Sequence, residues 1–254
     1  NGELVFGSEL KVLKQHPLFD KALRETTLED YFTFGYVPEP YTVYEHSYKL
    51  SPGHCMLVRR GMTELPEPRQ YWDIPTDWQT PLSAGEVQEQ LIDRLKEAVD
   101  IRLVADVPLG AFLSGGVDSS GVVALMSQLQ SEPVNTCAIG FDVKAFNETE
   151  FAQMVADRYQ TNHRVETVSQ DDFDLIDKLA DLYDEPYADS SAIPTYRVCE
   201  LARKHVTVAL SGDGGDELFA GYRRYKMHLH EERMRNILPL GLRRPLFKPL
   251  GSLY

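Results

Sequence analysis

The sequence predicts an α/β protein built on a largely parallel sheet with helices on both faces. Three observations predict it. Strand-like and helix-like segments alternate after about residue 85, two glycine-rich loops each follow an apolar strand-like run, and the first seventy or so residues lack this alternation.

In that first stretch, apolar bursts such as "ELVFGS" and "HCMLVRRG" are broken by "VPEPY", "SPGH" and "LPEPRQ", which predicts short strands and turns. "YWDIPTDWQTPLSAG", residues 71–85, carries two prolines and no helical period, and reads as a linker. Beyond it Val87, Leu91, Leu95 and Val99 recur every fourth residue, with Ser83 and Glu86 set as a capping box, which predicts a helix over 83–104. Strands then follow at "LGAFLS", "VNTCAIGF", "HRVETV" and "VTVALS". Between and after them come helices through "SGVVALMSQL", "ETEFAQMVADRY", "FDLIDKLADLY" and "AIPTYRVCELARKH", with a further one from Glu217. Asn147 and Glu150 form a second box-like cap. No internal repeat or low-complexity tract is present.

The composition bounds the function. Thirty-nine acidic against 26 basic residues give a net charge of −13, which opposes a nonspecific grip on phosphate backbones and makes nucleic acid a poor partner. No apolar run reaches the roughly 18 residues of a membrane-spanning helix, and no signal segment opens the chain; a cytoplasmic protein with no membrane partner is expected. Cys55, Cys137 and Cys199 are far apart, with no CxxC pair, so neither a disulfide framework nor a structural zinc site is implied; small core roles are expected. The chain opens at Asn1 without methionine and closes on "KPLGSLY", which reads as a piece of a longer protein.

Ligands of open parallel sheets bind beyond the carboxyl ends of the strands, and both glycine loops sit there. In "SGGVDSS", residues 114–120, glycines let the backbone close on an oxyanion, a helix N-terminus offers unpaired N–H groups, and serine hydroxyls add donors. The loop lacks the lysine of GxxxxGK[ST] and is not a GxGxxG fingerprint. Taken alone it could be a softened strand-to-helix turn with Ser119 as its cap. Asp118, in the first helical turn, could hold the Mg²⁺ that a polyphosphate brings. In "LSGDGGDELFAGY", residues 210–222, Asp213, Asp216 and Glu217 interrupt three glycines. Carboxylates beside a polyphosphate repel it unless a cation intervenes, which argues for bound magnesium. Taken alone, this loop could be an acidic turn in which Asp216 caps the last helix.

Together with "DEPYADSSAIPTY" at 184–196, these loops resemble the synthetase domain of glutamine-hydrolysing asparagine synthetases and their amidotransferase relatives, over about 85–225. "GELVFGSELKVLKQHP", residues 2–17, is similar to the closing strand and turn of the N-terminal-nucleophile glutaminase domain of those enzymes. The resemblance implies three parts. Residues 1–74 are the C-terminal remnant of a class II glutamine amidotransferase domain of α+β fold, 75–84 a linker, and 85–254 a truncated synthetase domain of the parallel-sheet, α-hydrolase-like PP-loop ATPase type.

The resemblance further implies that Leu113, Ser114 and Ile139 border the nucleotide of bound ATP. Gly115, Gly116, Ser119 and Ser120 would hold pyrophosphate, and Ser211 and Gly212 would line the same site. Asp118 and Asp216 would ligate Mg²⁺, and Asp213 matches a glutamate that assists aspartyl adenylate formation. The implied activity is that of an ATP-dependent carbon–nitrogen ligase with glutamine as amido donor, making L-asparagine through β-aspartyl-AMP, with a homodimer as a candidate assembly. Its small-molecule substrates would be aspartate or a similar carboxylate, glutamine and ATP. Asp213 is one methylene shorter than the family's glutamate, and Ser190 stands where those enzymes carry an arginine for the substrate carboxylate. The family's nucleophilic cysteine and a lysine near the phosphates are not in this chain, which by itself is expected to be inactive. Alternatives are an amidotransferase acting on another carboxylate, as in polysaccharide clusters, a β-lactam-forming relative, an RNA-modifying enzyme sharing only the first loop, or a noncatalytic ATP-binding remnant.

Other residues have plainer readings. His46, His54 and His163 are isolated and expected to be solvated or in the core. The mixed-charge run at 222–235 reads as a solvated helix face, and Trp72 and Trp78 as pins between two domains.

Overall fold

The computed structural model describes residues 3–76, 80–142, 147–168 and 175–237, together with 241, 243 and 245. In chain order the described elements begin with α1 (Leu10–Leu13), α2 (Thr26–Phe34), β1 (His54–Cys55), β2 (Arg69–Gln70) and α3 (Ala84–Leu103). There follow β3 (Leu109–Phe112), α4 (Val117–Leu129), β4 (Asn135–Phe141), α5 (Thr149–Tyr159) and β5 (Asn162–Val168). The last are α6 (Leu175–Leu182), α7 (Ala192–Arg203), β6 (Val208–Leu210), α8 (Gly215–Phe219) and α9 (Arg223–Ile237). The expected alternation is therefore present. Trp78, and Phe173 at the start of one expected helix, lie outside the described residues.

The chain forms two compact units that do not follow chain order. The first comprises Asn1–Leu95, Ile139–Asn147 and Glu166–Leu201; the second comprises Lys96–Ala138, Glu148–Val165 and Ala202–Tyr254.

In the first unit the proline-broken stretch forms turns, the two-residue antiparallel pair β1–β2, and isolated bridges Leu23↔Tyr44 and Tyr41↔Tyr48. Helix α2 departs from the expected strands and turns. Its aromatic and threonine-rich sequence favours strand intrinsically, but burial of Thr27, whose hydroxyl donates to the Arg24 carbonyl at 2.7 Å, and closure by the Gly35 N–H on the Tyr31 carbonyl at 2.8 Å hold a helix. The Arg24 guanidinium lies over the Tyr41 and Tyr48 rings, 4.7 and 5.1 Å from their centroids. The capping box before α3 forms as expected. Both the hydroxyl and the N–H of Ser83 donate to Glu86 Oε2, at 2.7 and 2.8 Å, and these bonds lower the Glu86 pKa. The second box does not define its helix start: α5 begins at Thr149 with Glu148 in the cap position, making no side-chain cap bond.

The four-stranded sheet has the order β5-β4-β3-β6. Within the second unit β3 pairs in parallel with β4 (Ala111↔Thr136) and with β6 (Ala111↔Leu210). Small residues at Ala111 and Ala138 let helices approach, and Leu113, Val123, Met126, Val134, Ala152 and Ala156 pack with them into one core. Of the cysteines, Cys137 is buried in β4 as expected; Cys55 and Cys199 are exposed, the first on a two-residue surface strand and the second on α7. Exposed ion pairs of Arg235 with Glu231 and Glu232 fit the solvated reading of α9.

His163 is held from inside the second unit. The buried Thr136 hydroxyl bonds His163 Nδ1 at 2.9 Å and the Thr161 hydroxyl at 2.8 Å, and His163 Nε2 is buried with no partner among the described residues. A second ring proton would have nowhere to go, so burial lowers the His163 pKa, with Asp157 partly opposing.

Two outcomes follow from this packing. Met126→Ala, at a side chain 1% exposed, should lose about 2–5 kcal/mol in urea unfolding. Met154→Ala, on the 67% exposed Met154, should change stability by no more than about 0.5 kcal/mol. Because the folded pKa of His163 lies below its unfolded value, the unfolded chain takes up the proton first. Stability should therefore fall as pH drops through the ordinary histidine range, near about 6.5. His163→Gln should show a shallower fall in unfolding free energy between pH 7 and 5 than the parent.

Candidate functional site

Both glycine loops belong to the second unit, and the chain brings them together where β3 and β6 end. The first loop continues β3 by one further ladder bond, from the Leu113 N–H to the Cys137 carbonyl at 2.9 Å, and Leu113 is 1% exposed. The chain then turns at Gly115, whose φ of +85° suits glycine and where a Cβ would come within 2.6 Å of the Phe151 Cβ and the Ala152 N. Gly116 takes the N-cap position of α4 without any side-chain cap, which leaves the first-turn N–H groups facing out of the helix.

Serine hydroxyls tie the loop to that turn. Ser114 Oγ and Ser119 Oγ lie 3.0 Å apart, the Gly116 N–H donates to Ser114 Oγ at 3.3 Å, and the Ser119 hydroxyl donates to the Gly116 carbonyl at 3.3 Å. Ser119 thus braces the loop from inside the first turn and is not the helix cap that the plainer reading expected, while Ser120 makes no such bond: its Oγ is buried without a partner among the described residues. A buried hydroxyl left unpaired costs free energy, and a phosphate oxygen at the helix N-terminus is the kind of acceptor that would satisfy it.

The second loop packs onto the first. A Cβ on Gly212 would lie 2.7 Å from the Ser119 N and 2.9 Å from the Asp118 Cβ, and one on Gly215 would strike the Asp118 carboxylate. Asp118 is therefore seated against the second loop by two glycines that leave it room. Asp213 accepts from the Ser211 hydroxyl at 2.9 Å. Asp216 has its carboxylate folded against Gly221 and does not cap the helix expected from Glu217: that helix, α8, begins at Gly215 with Gly214 as its N-cap and no side-chain cap bond, which puts Asp216 inside its first turn. Next to it the Tyr222 hydroxyl donates to Glu217 at 2.6 Å, and that bond lowers the Glu217 pKa and raises that of Tyr222.

Among the described residues no cluster of three or more His, Cys, Asp or Glu side chains could hold a metal by itself. Two carboxylates from facing loops suit an ion such as Mg²⁺ that takes most of its ligands from phosphate and water. Asp118 and Asp216 fit that description by residue type, and the first turn of α4, free of any side-chain cap, together with the unpaired Ser120 hydroxyl offers donors that suit a phosphate chain. Ile139 is half-buried in β4 and belongs to the first unit.

The first unit holds a cavity of about 610 Å³ lined by Leu28, Tyr31, Tyr44, Ile176 and Tyr183 among others. It has no phosphate-binding loop, so the glycine loops remain the candidate site. One set of contacts has no signal in the local sequence. Asp184 and Glu185, just beyond α6, are held by Lys11, Val43 and Lys49 from the start of the chain, Lys11 and Asp184 being 173 positions apart.

The family model described as Asparagine synthase matches residues 90–252, and that described as Glutamine amidotransferase domain matches residues 1–72. A Methanocaldococcus jannaschii protein whose name contains "asparagine synthetase" and "glutamine-hydrolyzing" is 37% identical over 99% of this chain and 50% of its own length. The glutamine-hydrolyzing asparagine synthetase 1 of Bacillus subtilis is 32% identical over 97% of this chain and 38% of its own length. The chain thus spans half or less of these curated relatives.

Gly115→Ala should strain the loop by about 1–3 kcal/mol, through its positive φ and its clash with α5. It should abolish saturable binding of a fluorescent ATP analogue while leaving the far-ultraviolet circular dichroism intact. Unchanged binding would show that the loop is only a turn.

Proposed function

As the chain belongs to the asparagine synthase family, we propose that it carries the nucleotide-binding loops of a glutamine-dependent, adenylate-forming amide ligase, with aspartate as the acceptor. The observation that carries this reading is the pair of glycine loops packed against each other around Asp118, beside the buried and unpaired Ser120 hydroxyl.

In this reading the acceptor carboxylate attacks the α-phosphorus of ATP, forming the acyl adenylate and releasing pyrophosphate. Ammonia from glutamine then adds to the acyl carbon and displaces AMP, giving the amide. Gly115, Gly116, Ser119 and Ser120 hold the departing pyrophosphate, with N–H and hydroxyl donors aimed at the charge that develops on it. Ser114, Ser211 and Gly212 line the nucleotide, with Leu113 and Ile139 as its apolar border. Asp118 and Asp216 would hold Mg²⁺, which when bound neutralises polyphosphate charge. Asp213, oriented by the Ser211 hydroxyl, assists adenylate formation. The chain's own contribution is mostly positioning and fixed dipoles.

The two family matches support residues 1–74 as the amidotransferase part and 85–254 as the synthetase part, with 75–84 between them. Among the described residues no helix is long and apolar enough to cross a membrane, and the net charge of −13 supports small-molecule partners over nucleic acid. The reaction draws on ATP and free amino acids, which supports a cytoplasmic setting. A second reading keeps the chemistry and changes the acceptor to another carboxylate. Ser190 in place of arginine and the shorter Asp213 favour it.

The full-length protein should convert ATP to AMP and pyrophosphate in the presence of glutamine and its acceptor; ADP as product would exclude the reading. A panel of carboxylates, assayed by pyrophosphate release, separates aspartate from other acceptors. Asp118→Ala should lower pyrophosphate release by about 10²–10³-fold or more while glutamine hydrolysis persists.

A further inference from the structure

In the first unit, residues that match the amidotransferase family and residues that match the asparagine synthase family fold together. The polar bonds joining them converge on residues 182–188, the connection that leaves α6 and leads to α7. Glu185 Oε1 accepts the Val43 N–H at 2.7 Å and Oε2 meets Lys49 Nζ at 2.6 Å, and the same ammonium donates to the Val37 carbonyl at 2.6 Å. Beside it Asp184 accepts the Lys11 N–H at 3.1 Å, Lys11 Nζ donates to the Leu182 carbonyl at 2.8 Å, and the Ala188 N–H donates to the Gly35 carbonyl at 2.8 Å. The Glu185 and Lys49 side chains are 13% and 26% exposed, so both charges have given up most of their water.

An apolar plug would hold such a junction at least as firmly as a desolvated ion pair, whose best-attested advantage is fixing one register and allowing a switch between two. We propose that the Lys49–Glu185 pair is a clasp that couples glutamine hydrolysis to amide formation, with both residues in positioning roles. The proposal rests on the ligase reading given above. With the clasp closed, the amidotransferase-matching stretch and the α6–α7 connection move as one piece. With it open, each half-reaction runs without the other.

The test uses the full-length protein and measures glutamate formed per AMP formed with glutamine as donor, and AMP formation with ammonium as donor. Lys49→Met and Glu185→Gln should each raise the glutamate-to-AMP ratio about fivefold or more, with ammonium-dependent AMP formation near the parent rate. Lys49→Arg, which keeps charge and donors, should hold the parent ratio. Folded variants with an unchanged ratio would overturn the clasp. So would an equal loss of glutamine- and ammonium-dependent synthesis, or failure of both variants to fold, because the pair would then be a structural support only. If the parent itself makes no AMP with either donor, the ligase reading fails instead.

Discussion

The candidate site depends on a steric constraint: of two loops from adjacent parallel strands, the second must pack so closely on the first that it carries no side chain where they meet. Gly212 lies against the Ser119 backbone, Gly215 lies against the Asp118 carboxylate, and Gly115 turns beneath α5. A methyl group at Gly212 would press on the backbone of the first loop, one at Gly215 would displace the Asp118 carboxylate, and one at Gly115 would push the first loop away from α5. With the contact intact, the acid of the first loop is fixed against the backbone of the second, and the N-terminus of α4 stays uncapped by any side chain. The buried core of Leu113, Val123 and Met126 behind the loop keeps the strand end and the helix start in register. Electrostatic preorganisation of this kind requires a rigid support, because donors that move lose the advantage of being already aligned.

Much of this was legible from the chain. Alternating strands and helices, the capping box at Ser83 and Glu86, and both glycine loops are local patterns, and each leaves a signal within a few residues. The two loops together also pointed to the chemistry proposed for them, where either loop alone reads equally well as a turn. Less legible was the division of labour within "SGGVDSS". Sequence alone does not separate Ser119, which braces the loop through Ser114 and Gly116, from Ser120, whose hydroxyl is left buried and unpaired. Nor does it show Asp216 folded against Gly221.

What the sequence hid follows from long-range packing. Helix α2 is written in residues that favour strands, and tertiary contacts override that preference. Cys55 and Cys199 look like core residues by type, yet their positions on short or outward-facing elements expose them. The compact units also cut across the boundary that composition suggests, because Asp184 and Glu185 are held by residues from the first fifty. No periodicity or motif encodes a contact between residues so distant in the chain.

In the proposed reaction the loops hold departing pyrophosphate while an acceptor carboxylate attacks the α-phosphorus. The most direct measurement follows the oxygen: aspartate labelled with ¹⁸O in its β-carboxylate is turned over by the full-length protein, and the AMP is weighed by mass spectrometry. Attack at the α-phosphorus leaves one labelled oxygen on AMP when ammonia displaces it, so AMP should carry a single ¹⁸O. Label appearing in inorganic phosphate or pyrophosphate, with none in AMP, would contradict the account.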